Sequence, residues 1–115
     1  MKRPKYKNRK VEINGKVFDS SKEARRYRDL LLLQRAGEIH SLECQVKFTL
    51  VQGVKFSDEP RKKPDIRYFA DFAYWTKSGK YVVEDVKSAH TKTLPEYRMK
   101  RHMMLAFHNI EVKEI

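Results

Sequence analysis

Apolar and polar residues alternate along Val11-Glu12-Ile13 and again along Lys16-Val17-Phe18, with Asn14-Gly15 between them. A period of two marks a strand with one buried face. Asn-Gly favours the two-residue turn that joins antiparallel strands, so a β-hairpin is predicted over residues 11–18. The period then lengthens. Ser20 to Glu23 has the capping-box pattern, and Glu23, Tyr27, Leu30, Leu31 and Gln34 recur at helical spacing. A helix is predicted to about Ala36, ended by Gly37. Three strands should follow, over Leu42–Gln52, Asp65–Thr76 and Lys80–Ser88. In the first, Val46, Phe48 and Leu50 share a face, with Cys44 in phase. Ser78-Gly79 is a short turn, which argues for antiparallel pairing of the second and third. Thr93-Leu94-Pro95-Glu96 repeats the capping pattern and opens a helix to about His108, with Tyr97, Lys100, Met104 and Phe107 as its stripe. A short strand over 110–115 closes the chain.

This order predicts an α+β fold: a mixed central sheet with an αβββαβ core, preceded by an N-terminal β-hairpin and a basic arm. The length, 115 residues, fits one domain over 11–115 behind an arm over 1–10. The arm holds six cations, Lys2, Arg3, Lys5, Lys7, Arg9 and Lys10, and a loop adds Arg61, Lys62 and Lys63. With a formal net charge of +11, a polyanionic partner is expected. No apolar run approaches the length of a transmembrane helix, and the basic N-terminus lacks the apolar stretch of a secretory signal. Cys44 is the only cysteine, which excludes an internal disulfide and fits a reducing cytoplasm.

The candidate chemistry lies in the second and third long strands. Asp71 sits in Tyr-Phe-Ala-Asp-Phe-Ala-Tyr, where a buried carboxylate without a partner would cost several kcal/mol. The third strand runs Tyr-Val-Val-Glu-Asp-Val-Lys, placing Asp85 and Lys87 on one side of the strand. Counted from the turn, Asp71 (seven residues before Ser78) and Asp85 (six after Gly79) fall roughly across from one another. Two carboxylates suit Mg²⁺ or Mn²⁺, which take oxygen ligands and retain waters. The backbone carbonyl of Val86 offers a third oxygen, and Glu23, on the inward stripe of the first helix, a further acid. Lys87 would orient the attacking water or stabilise the charge that develops at phosphorus. Gln45 and Lys100 are possible accessory groups, Lys100 because it interrupts an apolar stripe. Glu84 faces the opposite side from Asp85 and is expected to pair with a basic helix residue. Cys44, on an apolar face, is expected to be an inert thiol. The spacing of the four histidines matches no zinc pattern.

Asp71 in Ala-Asp-Phe, Asp85-Val86-Lys87 after Tyr-Val-Val, and the helix-borne Glu23 ahead of them resemble the PD-(D/E)XK nuclease superfamily. The resemblance covers residues 20–115. Its departure is Ala70, where many members carry Pro before the first acid; Pro64-Asp65 does occur, but at the strand's start and far from Asp85. Within the superfamily the chain resembles small phage-encoded endonucleases and archaeal-type Holliday-junction resolvases. The resemblance implies a divalent-metal-dependent DNA endonuclease that reads shape and backbone charge, is structure-specific, works as a homodimer, and acts in the cytoplasm of a phage-infected bacterium. Catalysis would fall to Glu23, Asp71, Asp85 and Lys87, with metal on Asp71, Asp85, the Val86 carbonyl and Glu23. Lys2, Arg3, Lys5, Lys7, Arg9, Lys10, Arg61, Lys62 and Lys63 would hold DNA. Two rival expectations stand beside it: a non-catalytic nucleic-acid-binding module on the same fold, and a nuclease that nicks duplex DNA during packaging or processing.

Overall fold

The computed structural model describes residues 10–115. The expected basic arm, apart from exposed Lys10, therefore lies outside the described residues. The described residues form an α+β fold, with a mixed four-stranded sheet, a separate hairpin and two helices. The hairpin strands are β1 (Val11–Ile13) and β2 (Lys16–Phe18), joined through Asn14 and Gly15, both at positive φ (52° and 79°). That is the turn the Asn-Gly pair predicts. Helix α1 (Ser21–Arg35) follows, capped by the Ser20 side chain, which accepts from the Glu23 amide at 3.1 Å. Gly37, at φ 80°, ends it as expected.

The sheet runs in the order β3 (Ile39–Val51), β4 (Ile66–Thr76), β5 (Tyr81–Asp85), β6 (Lys113–Glu114). The first three are antiparallel neighbours, and β6 pairs parallel with β5. A crossover through α2 (Pro95–His108) makes that parallel pairing possible. Two expected strands are shorter than their patterns. β5 stops at Asp85, because the Val86 amide turns to the Asp71 side chain rather than to a strand. The last strand keeps only two paired residues of the six expected.

Two apolar clusters cover the two faces of the sheet. Phe18, Ala24, Tyr27, Leu30, Phe72 and Tyr74 pack under α1, where the Tyr27 and Phe72 rings stack at 6.2 Å. Leu50, Tyr68, Ala70, Val83, Tyr97 and Met104 pack under α2. Along β5 the faces alternate as a strand should: Tyr81 and Val83 join the α2 cluster and Val82 the α1 cluster, as does Val86 just past the strand's end. The long pair β3–β4 behaves differently. Leu42 and Cys44 belong to the α1 cluster, but Val46, Phe48 and Leu50 belong to the α2 cluster. On β4 the same switch falls between Ala70 and Phe72. The expectation that Cys44 shares a face with Val46 is thus corrected. On β3 the switch coincides with Gln45, whose left-handed backbone (φ 52°) departs from regular strand geometry.

Two expectations for α2 also need correction. Thr93 is not the cap: Leu94 is the N-cap residue, with no side-chain cap bond, and Pro95 opens the helix with φ preset by its ring. Thr93 instead lies in a short 3₁₀ turn, its hydroxyl donating to the His90 carbonyl at 2.6 Å. Phe107 is 62% exposed rather than part of the inward stripe. Ten residues on from Tyr97, it points roughly 80° away from it around the helix. Tyr97 and Met104 do face inward.

Candidate active site

The site is assembled where β3 and β4 change faces. Register pairs Cys44↔Phe72 and Val46↔Ala70 bracket Gln45 opposite Asp71. On the other side of β4, Phe72↔Glu84 places Asp85 next in line beside Asp71. Gln45, Asp71 and Asp85 therefore form a row across three strands, and α1 brings Glu23 to its end. A non-glycine residue in the left-handed region costs on the order of 1 kcal/mol or more. Here that conformation aims the Gln45 amide at both acids: its Nε2 donates to Asp71 Oδ1 at 3.1 Å and to Glu23 Oε1 at 3.4 Å.

Asp71 also accepts the Val86 amide on Oδ2 at 2.8 Å. Asp85 is buried, and its Oδ2 accepts from the Tyr68 hydroxyl at 2.5 Å and from Lys87 Nζ at 3.2 Å. The Lys87 ammonium lies 4.2 Å from the centre of the Tyr97 ring, so it is held between a carboxylate and an aromatic face. Its backbone is fixed too: the Lys87 amide donates to Ile115 O at 3.1 Å, and Lys22 Nζ donates to Lys87 O at 2.8 Å. Ile115 returns a bond to Asp85 O at 3.0 Å.

Asp71 is the acid whose ionisation is opposed most. Burial is the largest cause and the adjacent Asp85 carboxyl the next; together they push the Asp71 carboxyl up to about 8. Glu23 is raised as well, by burial first and by Asp19 second, while contact with Asp71 pulls the other way. A carboxyl whose folded-state pKa is raised keeps its proton after the unfolded chain has lost it. Stability is then lost as pH climbs from about 4 towards 8. The melting temperature in EDTA is expected to fall over that window, and the Asp71→Asn protein should show a flatter profile. Equal slopes for the two proteins would refute the strained acid pair.

The structure brings Glu23, Asp71, Asp85, Lys87 and Gln45 together. Lys100 is not with them: its Nζ pairs with Glu96 one turn back at 3.2 Å. What is seen of Val86 at the site is its amide. Tyr68 and Tyr97, which the sequence places in the Asp71 strand and on the helix stripe without a role at the site, anchor Asp85 and Lys87. Their only signal was an aromatic on each element flanking the acids. Among the described residues, no group of three or more His, Cys, Asp or Glu side chains is arranged to hold a metal ion. The donor set is thus the Asp71–Asp85 pair, with Glu23 standing beside it through Gln45.

Other expected groups have structural work. Glu84 is fully buried and takes a two-pronged ion pair from Arg26 of α1, at 2.7 and 2.6 Å, as well as the Tyr74 hydroxyl. Its expected pairing with a helix base is what the structure shows. Asp65 accepts the Gly53 amide at 2.6 Å and so closes the β3–β4 loop. Arg61, Lys62 and Lys63 are exposed on that loop, Lys63 pairing with Glu59 at 3.0 Å. Cys44 is half-buried, and burial pushes its thiol up, away from nucleophilic use. No helix of the described residues is long and apolar enough to cross a membrane.

A family profile described as "protein of unknown function (DUF1064)" matches residues 3–115. The chain belongs to that family. The match spans the hairpin, both helices and every strand, so the acid row and its supports fall inside the family's own boundaries. No curated protein matched the chain. No solved structure matched it either.

Proposed function

We propose that this protein is a divalent-metal-dependent endonuclease of the restriction-endonuclease-like fold, hydrolysing phosphodiester bonds in DNA. One observation carries the reading: Asp71 and Asp85 meet on adjacent strands, with Lys87 fixed beside them. A buried carboxyl whose pKa is raised by desolvation and by a neighbouring carboxylate, as that of Asp71 is, marks a site where a cation would be stabilised. Hard oxygen donors of this kind fit Mg²⁺ or Mn²⁺, with the Val86 carbonyl, water and a substrate phosphate as further oxygens. When bound, such an ion supplies Lewis acidity and a water of lowered pKa.

The chain's own residues do the rest. Tyr68 holds Asp85 in one orientation, and Gln45 donates to both Glu23 and Asp71 and so ties the two acids together. Lys87 carries a fixed positive charge to the mouth of the site, its side chain 21% exposed, where it would offset charge developing on the phosphoryl oxygens. Glu23, close to Asp71, would accept a proton from the attacking water. The exposed cations of the loop, with those of the N-terminal segment, would bind phosphates without reading sequence.

A non-catalytic binding module is the second reading. It is favoured by the two partners Asp85 already has, Tyr68 and Lys87, which satisfy much of its charge. Incubation of a synthetic four-way junction, a flap and a linear duplex with protein, in Mg²⁺ and in EDTA, separates the two. The nuclease reading expects cleavage in Mg²⁺ alone, greatest on the branched substrates. Binding of all three with no scission in either buffer would favour the module.

A further inference from the structure

The face switch at Gln45 has a second effect. Beyond it, Val46, Phe48, Leu50, Tyr68 and Ala70 turn towards α2, so their neighbours on β3 and β4 turn away from it. Helix α1 does not extend over them: its cluster ends at Cys44 on β3 and Phe72 on β4. This half of the ribbon therefore has one covered and one open face. The open face carries Lys47 opposite Phe69 and Thr49 opposite Arg67. Lys47, Phe69 and Arg67 are all exposed, Phe69 by 52%.

The strip starts beside the acids. Two residues along a strand span roughly 7 Å, so the Lys47–Phe69 pair lies about that far from Gln45–Asp71, and Thr49–Arg67 about twice as far. It contains no acidic side chain. A cationic strip joined to a phosphodiester-cleaving centre is complementary to a polyanion. The exposed aromatic ring narrows the choice. In a duplex both faces of a base are already stacked, whereas an unpaired base offers a free face to a ring such as Phe69. The strip is also held stiff. At its far end the Gly53 amide donates to Asp65, the Lys63 amide donates to Val54 O at 2.6 Å, and a Cβ on Gly53 would come within 2.3 Å of Lys63 O.

We propose that the open face of the β3–β4 ribbon binds single-stranded DNA, with Phe69 stacking on an unpaired base and Lys47 and Arg67 holding the flanking phosphates. The proposal rests on the nuclease reading for its choice of nucleic acid. It makes the preferred substrate one with unpaired nucleotides next to the scissile bond.

Binding in EDTA tests the strip without cleavage. The probe is a short oligothymidine carrying one 2-aminopurine, set against a blunt duplex of the same length. Wild type should bind the single strand and quench the 2-aminopurine. Phe69→Ala, a substitution at an exposed position, should weaken single-strand binding on the order of 10-fold or more and abolish the quench, while Phe69→Trp should retain both. Lys47→Ala with Arg67→Ala should flatten the salt dependence of log K by roughly 0.7 per charge removed. Unchanged affinity and quench in Phe69→Ala would overturn the proposal. So would light scattering that shows a wild-type dimer lost in Phe69→Ala, since the strip would then be covered by a second copy. If these binding results hold but Mg²⁺ supports no cleavage, the nuclease reading falls and the strip stands. Cleavage by a wild type whose strip variants bind normally is the reverse outcome.

Discussion

Asp85→Asn is expected to abolish Mg²⁺-dependent DNA cleavage, by at least about 100-fold, while leaving the protein folded. The substitution removes one of the two carboxylates proposed to grip the ion and frees Lys87 from its ion pair. The asparagine carbonyl can still accept from Tyr68, and Lys87 keeps its contact with the Tyr97 ring. Relief of the charge repulsion on Asp71 offsets part of any stability lost, since Asp85 is the second cause of Asp71's raised pKa. Active sites commonly trade stability for function in this way. The check is a cleavage time course beside a thermal melt in EDTA. A variant that melts like wild type and cuts like wild type would remove Asp85 from the chemistry.

The largest effect on stability is expected at Arg26. Glu84 has no exposed surface, and its carboxylate is held by the Arg26 guanidinium and the Tyr74 hydroxyl. Arg26→Ala would leave that charge buried with only the phenol, a type of loss that costs about 3–5 kcal/mol. The melting temperature should drop by on the order of 10–20 °C. An unpaired buried carboxyl takes up a proton, so the deficit should be smaller at pH 5 than at pH 8. Arg26→Met combined with Glu84→Gln should recover part of it, because no buried charge is then left alone. The pair also matters to the site: it ties α1 to β5 three residues along the helix from Glu23 and one residue before Asp85. A loss below about 1 kcal/mol in Arg26→Ala would mean that Glu84 finds other partners.

Much of this arrangement was legible in the residues. Asn14-Gly15 carried the hairpin, and Ser20 with Glu23 carried the start of α1, because both signals depend on a few adjacent side chains. The approximate facing of Asp71 and Asp85 follows from counting residues away from a tight turn, and Glu84's helix partner from strand alternation. What the sequence hid is the left-handed backbone at Gln45. Glutamine carries no preference for that region, so nothing local announces the switch of faces. Strict alternation then misplaced Cys44 and concealed the open strip around Phe69. The roles of Tyr68 and Tyr97 depend on contacts 17 and 10 residues distant, to Asp85 and Lys87, across separate elements. The cap of α2 departs from the Thr93 pattern because Pro95 presets the first turn, so the helix starts without Thr93.

The most direct measurement is calorimetric titration of Mn²⁺ into the protein without DNA, at a pH above Asp71's. Wild type should take up one ion weakly, and Asp71→Asn and Asp85→Asn, each still folded, should show no heat above dilution. Equal uptake by all three proteins, or none by wild type, would contradict a cation held between these two strands.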